Sequence, residues 1–123
     1  MLVRPSLQTF KSELFKAMAH PTRIRILELL RSGEKTVSEL QSSLEIESSS
    51  VSQQLGVLRS KHLVDARKEG TSVYYRVHDP KIFDLLDIAR EIFTNHLLDL
   101  QTMAEEESVG ESADNEVPTA FSP

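Results

Sequence analysis

The 123-residue sequence contains no cysteine. Without thiols the chain cannot form disulfides, offer thiolate ligands to a metal, or sense redox state through sulfur chemistry. No apolar run approaches the ~20 residues that a membrane-spanning helix needs, and residues 1–10 lack the apolar stretch of a secretory signal. We therefore expect a cytoplasmic protein with no membrane partner.

Recognisable catalytic groups are also missing from the sequence. It shows no nucleophile–base pair, no phosphate-binding loop and no familiar metal-binding motif. We therefore expect neither an enzymatic activity nor a cofactor. A length of 123 residues suits one domain with one core, and a composition of 39% hydrophobic and 27% charged residues is that of a globular protein.

Positive charge is scarce in the last third of the chain. Residues 82–123 hold 1 basic and 10 acidic residues (−9), whereas residues 1–81 hold 13 basic and 9 acidic residues (+4), and together they give the net charge of −5. Such an asymmetry is typical of a basic working surface joined to an acidic segment. A polyanionic partner for the first part is compatible with the negative total. The alternative is an ordinary mixed surface with an acidic tail.

Two helices are predicted at the start of the chain. Apolar residues spaced three and four apart predict an amphipathic helix from Ser6 to about Ala19. Pro21 ends this helix, and His20 is expected to be a capping or core residue. A second helix from Thr22 is apolar over much of its circumference, so we expect it at the centre of the core.

The pattern of a helix-turn-helix comes next. Thr36 and Glu39 fit a capping box that opens one short helix, and a cap at Ser48 or nearby opens another. Residues 63–68 and 72–77 are then predicted to be two strands joined by a glycine-containing hairpin turn. A helix-turn-helix followed by a hairpin is a winged helix. The predicted fold is mainly α with a two-stranded β-hairpin wing, in the order α-α-α-α-β-β-α.

A long last helix is predicted after Asp79 and Pro80, which suit a helix cap and a first turn. Its apolar residues advance in steps of three and four, as in a seam for a partner helix. A domain this small can hardly cover this seam and the first helix by itself, so we predict a homodimer through the first and last helices. Intramolecular packing alone is the alternative. The predicted interface residues are Leu7, Phe10, Leu14, Ile82, Leu86, Ala89, Phe93 and Leu97.

The helical pattern fades near Glu105. Residues 104–123 are acidic and rich in small polar residues, which predicts a disordered tail. Residues 1–103 are predicted to form one winged helix-turn-helix and dimerisation domain.

Four segments of the chain occur in a recognisable combination. They are FKAMAHPTRIRILELL (15–30), the run 36–64 that ends in VSQQLGVLRSKHLV, ARKEGTSVYYRV (66–77), and the last helix begun by Asp79. Together they resemble the ArsR/SmtB family of bacterial winged-helix repressors, over about residues 10–103. The resemblance implies a homodimer that binds double-stranded operator DNA, usually near its own promoter, and releases it when an inducer binds.

The helix that follows Glu47 is the predicted recognition helix. Its apolar side faces the core, and its polar side is left for DNA, where small hydroxyls allow close approach and glutamine can pair with adenine. The candidates for base reading are Ser48, Ser49, Ser52 and Gln53, with Ser50 and Gln54 behind them. The resemblance favours Ser49, Ser52 and Gln53. Many members have histidine at the position of Gln53, so a different sequence preference is expected. The alternative is that the serines only cap the helix and the glutamines are merely solvated.

Further DNA contacts are predicted at the end of the recognition helix and in the wing. Arg59 is placed to touch phosphate, and Arg67 or Lys68 could enter the minor groove or lie along the backbone. Thr71 follows the wing turn, and Tyr75 is a candidate for a sugar-phosphate contact. In a dimer, the two recognition helices are expected about 34 Å apart, which matches an inverted repeat.

The inducing signal is not apparent in the sequence. The segment 38–43, where many family members carry metal-binding cysteines, has none here. Of the family's other zinc site, Asp79 matches the first position, but Lys81, Ile92 and Asn95 occupy the remaining positions. A displaced set could be formed by Asp84, Asp87, His96 and Asp99, although it resembles a weak site for oxygen-preferring ions. A histidine protonation switch, an organic effector, a serine modification and no effector at all stay open.

A second class of function is a winged helix used for contact with another protein. DNA binding should weaken steeply with salt, whereas a protein interface of ordinary polarity should respond mildly.

Overall fold

The computed structural model describes residues 6–109. The elements are α1 (Leu7–Met18), α2 (Pro21–Leu29) continued by a short 3₁₀ turn (Leu30–Ser32), α3 (Val37–Leu44), α4 (Ser48–Ser60), β1 (Val64–Glu69), β2 (Ser72–Val77) and α5 (Lys81–Val109). The chain divides into two compact units, one up to Phe83 and one from Asp84 onward. The predicted mainly α fold with a two-stranded wing, and its order of elements, are confirmed.

The first unit is built around one apolar core to which α2, α3, α4 and β1 all contribute. Seven of its side chains have less than 2% of their surface exposed: Ile26, Leu27, Leu40, Val51, Leu55, Leu58 and Val64. Buried side chains of this size each contribute about 1.5–3 kcal/mol through removal from water. The core therefore fixes α4 through its apolar side and leaves the opposite side to solvent.

Helix starts follow the local chemistry of the sequence. Ser6 caps α1 by accepting a hydrogen bond from the Thr9 amide, and His20 caps α2 through its Nδ1, which accepts from the Thr22 amide at 3.2 Å. The capping role expected for His20 is thus observed. For α4 a cap was predicted at Ser48 or nearby; the N-cap is the adjacent Glu47, which makes no side-chain cap bond, and Ser48 is the first helical residue.

The wing is an antiparallel hairpin in which Val64 pairs with Val77 and Glu69 with Ser72. Gly70 has a φ of 62°, a left-handed conformation that glycine adopts without steric cost and that the two-residue turn requires. The backbone of Lys35 adds a short bridge on the outer side of β2, with N–O distances of 3.0 and 2.8 Å to Tyr75. The wing is thereby joined to the loop that precedes α3.

The last helix differs from the prediction at its far end. Asp79 caps its start by accepting from the Lys81 amide at 3.0 Å, as expected, but the helix continues to Val109. Residues 104–109, predicted to begin the tail, are helical because alanine and glutamate have high helix propensity and extend the preceding turns. The remainder of the predicted tail, 110–123, lies outside the described residues.

The predicted dimer residues fall into two groups by exposure. Ile82 and Leu86 are buried within the single chain, and Leu14 is half-buried. Leu7, Phe10, Phe93 and Leu97 are each about half exposed or more, and Ala89 is exposed as well. Ile82 and Leu86 are therefore already covered within one chain, whereas the exposed members remain predicted interface residues. None of the helices in the stretch 6–109 is long and apolar enough to cross a membrane.

Candidate nucleic-acid interface

Helix α3 is defined by local contacts at both of its ends. Thr36 and Glu39 form the predicted capping box, in which the Glu39 amide donates to the Thr36 hydroxyl at 3.2 Å and the Thr36 amide donates to the Glu39 carboxylate at 2.9 Å. These bonds lower the pKa of Glu39, the bond from the Thr36 backbone being the largest cause. At the other end, Glu45 adopts a left-handed conformation that turns the chain into α4. Local chemistry therefore defines where α3 begins and where the chain turns toward α4.

Helix α4, the predicted recognition helix, has a buried apolar face and several exposed polar residues. Val51, Leu55 and Leu58 are fully buried. Most of the polar candidates are exposed to solvent, whereas Ser50 is half-buried. The exposed candidates are Ser48, Ser49, Ser52, Gln53 and Arg59. Because the N-cap is Glu47, these serines are inside the helix and not at its cap position. The face can thus offer hydroxyl and amide groups to a ligand.

Gln54 differs from its neighbour Gln53. Its Oε1 accepts a hydrogen bond from Arg23 Nη1 at 3.1 Å, and Arg23 Nε donates to the Ala17 carbonyl at 2.7 Å. The Gln54 side chain is thus engaged within the protein, where it links α4 to α2 and to the end of α1. The sequence suggested Gln54 only as a secondary candidate for base reading. In the structure its side chain instead makes a contact that positions α4 against α2.

Arg67 of the wing is surrounded by carboxylates. Its Nε and Nη2 donate to the two oxygens of Glu34 at 3.1 and 2.9 Å, and its Nη1 donates to Glu69 at 3.1 Å. Its guanidinium carbon lies 4.9 Å from the centre of the Tyr74 ring. The hydrogen bond from Arg67 lowers the pKa of Glu34, and those with Glu34 and Glu69 raise the pKa of Arg67. All three nitrogens of this predicted DNA contact therefore have partners in the protein.

The remaining wing candidates differ in their exposure. Lys68 and Thr71 are exposed on either side of the Gly70 turn. Tyr75 is half-buried, and its backbone forms the bridge to Lys35. Lys68 is therefore the wing cation best placed to meet a phosphate.

A further polar contact lies at the base of the wing. His78 Nδ1 is 2.9 Å from Asp65 Oδ2, and Arg76 Nε is 3.7 Å from the same oxygen. The hydrogen bond with His78 is the main cause that lowers the pKa of Asp65. This contact links the first residues of β1 to the segment that leaves β2.

Three residues of this surface were not singled out from the sequence. Glu34 and Arg23 contact partners more than thirty positions away along the sequence. No local sequence pattern predicts such pairs. Gly56 is exposed inside α4, and a glycine within a helical pattern is a signal that could have found it. No group of three or more His, Asp or Glu side chains that could hold a metal ion occurs within residues 6–109.

The buried-and-exposed division of α4, with a hairpin directly after it, defines a winged helix-turn-helix transcription regulator. Residues 20–66 match the model of the bacterial regulatory proteins of the arsR family. An HTH-type transcriptional regulator of Mycobacterium tuberculosis, Rv0081, is 45% identical over 108 residues, which cover 87% of this chain and 95% of that protein. The chain belongs to the ArsR family of DNA-binding transcription regulators, which are not enzymes.

Solved structures agree with this assignment. The crystal structure of Rv0081 matches with a TM-score of 0.69 over 78% of this chain and 97% of that one. A homodimeric winged helix-turn-helix domain from Mycobacterium bovis, described as a possible ArsR-family regulator, is 30% identical with a TM-score of 0.67, covering 79% of this chain and 94% of that one. A biofilm growth-associated repressor of Agrobacterium fabrum is 40% identical over 80 residues, 65% of this chain and 68% of that protein.

Proposed function

We propose that two copies of this chain bind an inverted-repeat operator and repress transcription from it in the cytoplasm. The observation that carries the proposal is the exposed polar face of α4, opposite three fully buried apolar residues. Ser49, Ser52 and Gln53 read base edges in the major groove, and Ser48 lies near the backbone at the helix start. Arg59 and Lys68 meet phosphates.

Dimerisation would use apolar residues that the single chain leaves exposed. On α1 these are Leu7, Phe10 and Phe15, and on α5 they include Ile92, Phe93 and Leu97. In an isologous dimer each of these side chains would be buried in both copies. The two copies of α4 would then be related by two-fold symmetry, as the half-sites of an inverted repeat are. The homodimeric relative from Mycobacterium bovis supports this proposal.

The effector would not be a metal held by thiolates, because the chain has no cysteine. Screening metals and metabolites for release of the bound DNA would identify the signal.

The test is binding to the DNA upstream of the chain's own gene, measured by fluorescence anisotropy. We expect Gln53→Ala and Ser52→Ala to reduce discrimination between operator and unrelated DNA, since a good bidentate base contact is worth about 1–3 kcal/mol. Gln101→Ala, an exposed glutamine on α5, is the matched control and should leave discrimination unchanged. Affinity should fall steeply with salt. Equal binding by the Gln53 and Ser52 variants, or a weak salt dependence, would favour a protein-contact module, and higher transcription with the bound protein would contradict repression.

A further inference from the structure

We propose that Glu34 is a positioning residue for DNA binding, which holds the wing in its binding orientation through Arg67. Arg67 then acts through Glu34 and not through a contact with DNA. The inference rests on the proposed DNA-binding function and deepens it, because it assigns a role to an acidic residue outside α4 and the wing.

Arg67 and Glu34 form an ion pair with two hydrogen bonds. Two parallel hydrogen bonds, at 2.9 and 3.1 Å, connect the Arg67 guanidinium with both oxygens of Glu34. Such a fork-to-fork contact fixes orientation as well as distance. The third guanidinium nitrogen is directed to Glu69 at 3.1 Å, and Tyr74 covers one face of the group. Each of the three guanidinium nitrogens of Arg67 therefore has a carboxylate partner.

The charges around Arg67 argue against a role as a phosphate contact. Glu34 and Glu69 neutralise the positive charge of Arg67, so its guanidinium offers little net attraction to a phosphate. A phosphate oxygen would also have to displace one of the carboxylates from a charge-assisted hydrogen bond. Lys68, the next residue, is exposed and carries the wing's positive charge toward solvent.

The pair connects the wing to the start of the helix-turn-helix. Glu34 contacts β1 through Arg67, and the adjacent Lys35 contacts β2 through its backbone bridge to Tyr75. Thr36, the next residue, caps α3. Residues 34–36 thus contact both strands of the wing and cap α3, the first helix of the helix-turn-helix. Loss of the Glu34 contact should therefore release the wing on its β1 side.

Charge alone and the proposed role predict opposite effects for Glu34→Gln. If Glu34 were only an acidic side chain near DNA, its neutralisation would strengthen operator binding. If Glu34 positions the wing, its neutralisation should weaken binding by about fivefold or more, the lower end of the range typical for coupling between sites. Glu28→Gln removes an exposed acid on α2 and serves as the matched control, for which we expect no loss of affinity.

A charge exchange separates positioning from direct contact. We expect Arg67→Glu and Glu34→Arg each to weaken binding, and the double variant to recover most of the affinity because the pair is restored in reverse. Arg67→Lys should weaken binding without changing the slope of log affinity against log salt, since no phosphate contact is lost. A double variant as weak as Arg67→Glu, together with tighter binding by Glu34→Arg, would show direct DNA contact and overturn the inference.

A measurement without DNA keeps this inference distinct from the proposed function. Hydrogen exchange at the amides of Lys35 and Tyr75 should accelerate in Glu34→Gln while the core amides of α4 stay protected. Unchanged exchange at these two amides would overturn the positioning role whether or not the protein binds DNA. Conversely, failure of the wild-type chain to bind DNA, with accelerated exchange in the variant, would contradict only the proposed function.

Discussion

At the scale of single residues, neighbours on α4 differ because the helix rotates each position by about 100°. Gln53 is exposed, whereas Gln54 is half-buried and bonded to Arg23. Identical side chains therefore have different tasks, one available to a ligand and the other holding the helix in place. The same rotation places Gly56 on the exposed side, three and four positions after Gln53 and Ser52.

Gly56→Ala should move stability and DNA affinity in opposite directions. A Cβ at this position would meet no atom within 4 Å, and glycine in a helix interior costs about 0.5–1 kcal/mol relative to alanine. We therefore expect a higher free energy of unfolding by about that amount in urea titration. The added methyl projects from the proposed DNA-reading face, so operator affinity should fall several-fold.

Thr94→Ala on α5 is the control for Gly56→Ala, because it also raises helix propensity at an exposed position but lies far along the chain from the reading face. It should stabilise without changing affinity. Unaltered operator binding by Gly56→Ala would show that DNA does not approach the helix closely at this position.

At the scale of elements, local patterns explain what the sequence could predict. The capping box of α3, the apolar period of α4 and the glycine turn of the wing each depend on residues a few positions apart. The cap predicted at Ser48 or nearby is at Glu47, one position earlier, but it makes no side-chain bond. The contacts of Arg67 and Arg23 could not be predicted from the sequence, because they join residues that only the tertiary fold brings together.

The base of the wing gives the protein a stabilising contact that acid should remove. The pKa of Asp65 lies below its ordinary value of 3.8, mainly because of the hydrogen bond with His78. A lowered pKa means that the folded state favours the ionised carboxylate, so this contribution is present above pH 3.8 and is lost as the pH falls through the folded-state pKa.

We therefore expect Asp65→Asn to be less stable than the wild type near neutral pH, and the difference to shrink toward zero in strong acid. Urea unfolding followed by circular dichroism from about pH 6 to about pH 2.5 measures both. Asp99→Asn, on the exposed surface of α5, should show no comparable difference. A gap between wild type and Asp65→Asn that persists at the acid end would rule out ionisation of Asp65 as its source.

At the scale of the whole molecule, the large apolar side chains that α1 and α5 leave exposed are the feature that favours a dimer over a monomer. Phe10, Phe93 and Leu97 have 55%, 59% and 49% of their surfaces exposed. Large apolar side chains left exposed in this way are typical of protein–protein interfaces. Ile82 and Leu86 are buried whereas Phe93 and Leu97 are exposed, so the apolar period of α5 includes residues of both kinds, and periodicity alone could not tell them apart.

Phe93→Glu should convert the dimer to a monomer and abolish operator binding. In an isologous interface the substitution introduces two carboxylates into an apolar contact and removes two aromatic side chains, each worth about 1.5–3 kcal/mol of burial. Sedimentation should give a mass of twice 13.9 kDa for the wild type and 13.9 kDa for the variant. Thr94→Glu adds the same charge at the next position and should leave the dimer intact, because that residue lies outside the predicted seam. A wild-type chain that stays monomeric at micromolar concentration, or a Phe93→Glu variant that still dimerises and binds the operator, would place the interface elsewhere and remove the basis for paired recognition through α1 and α5.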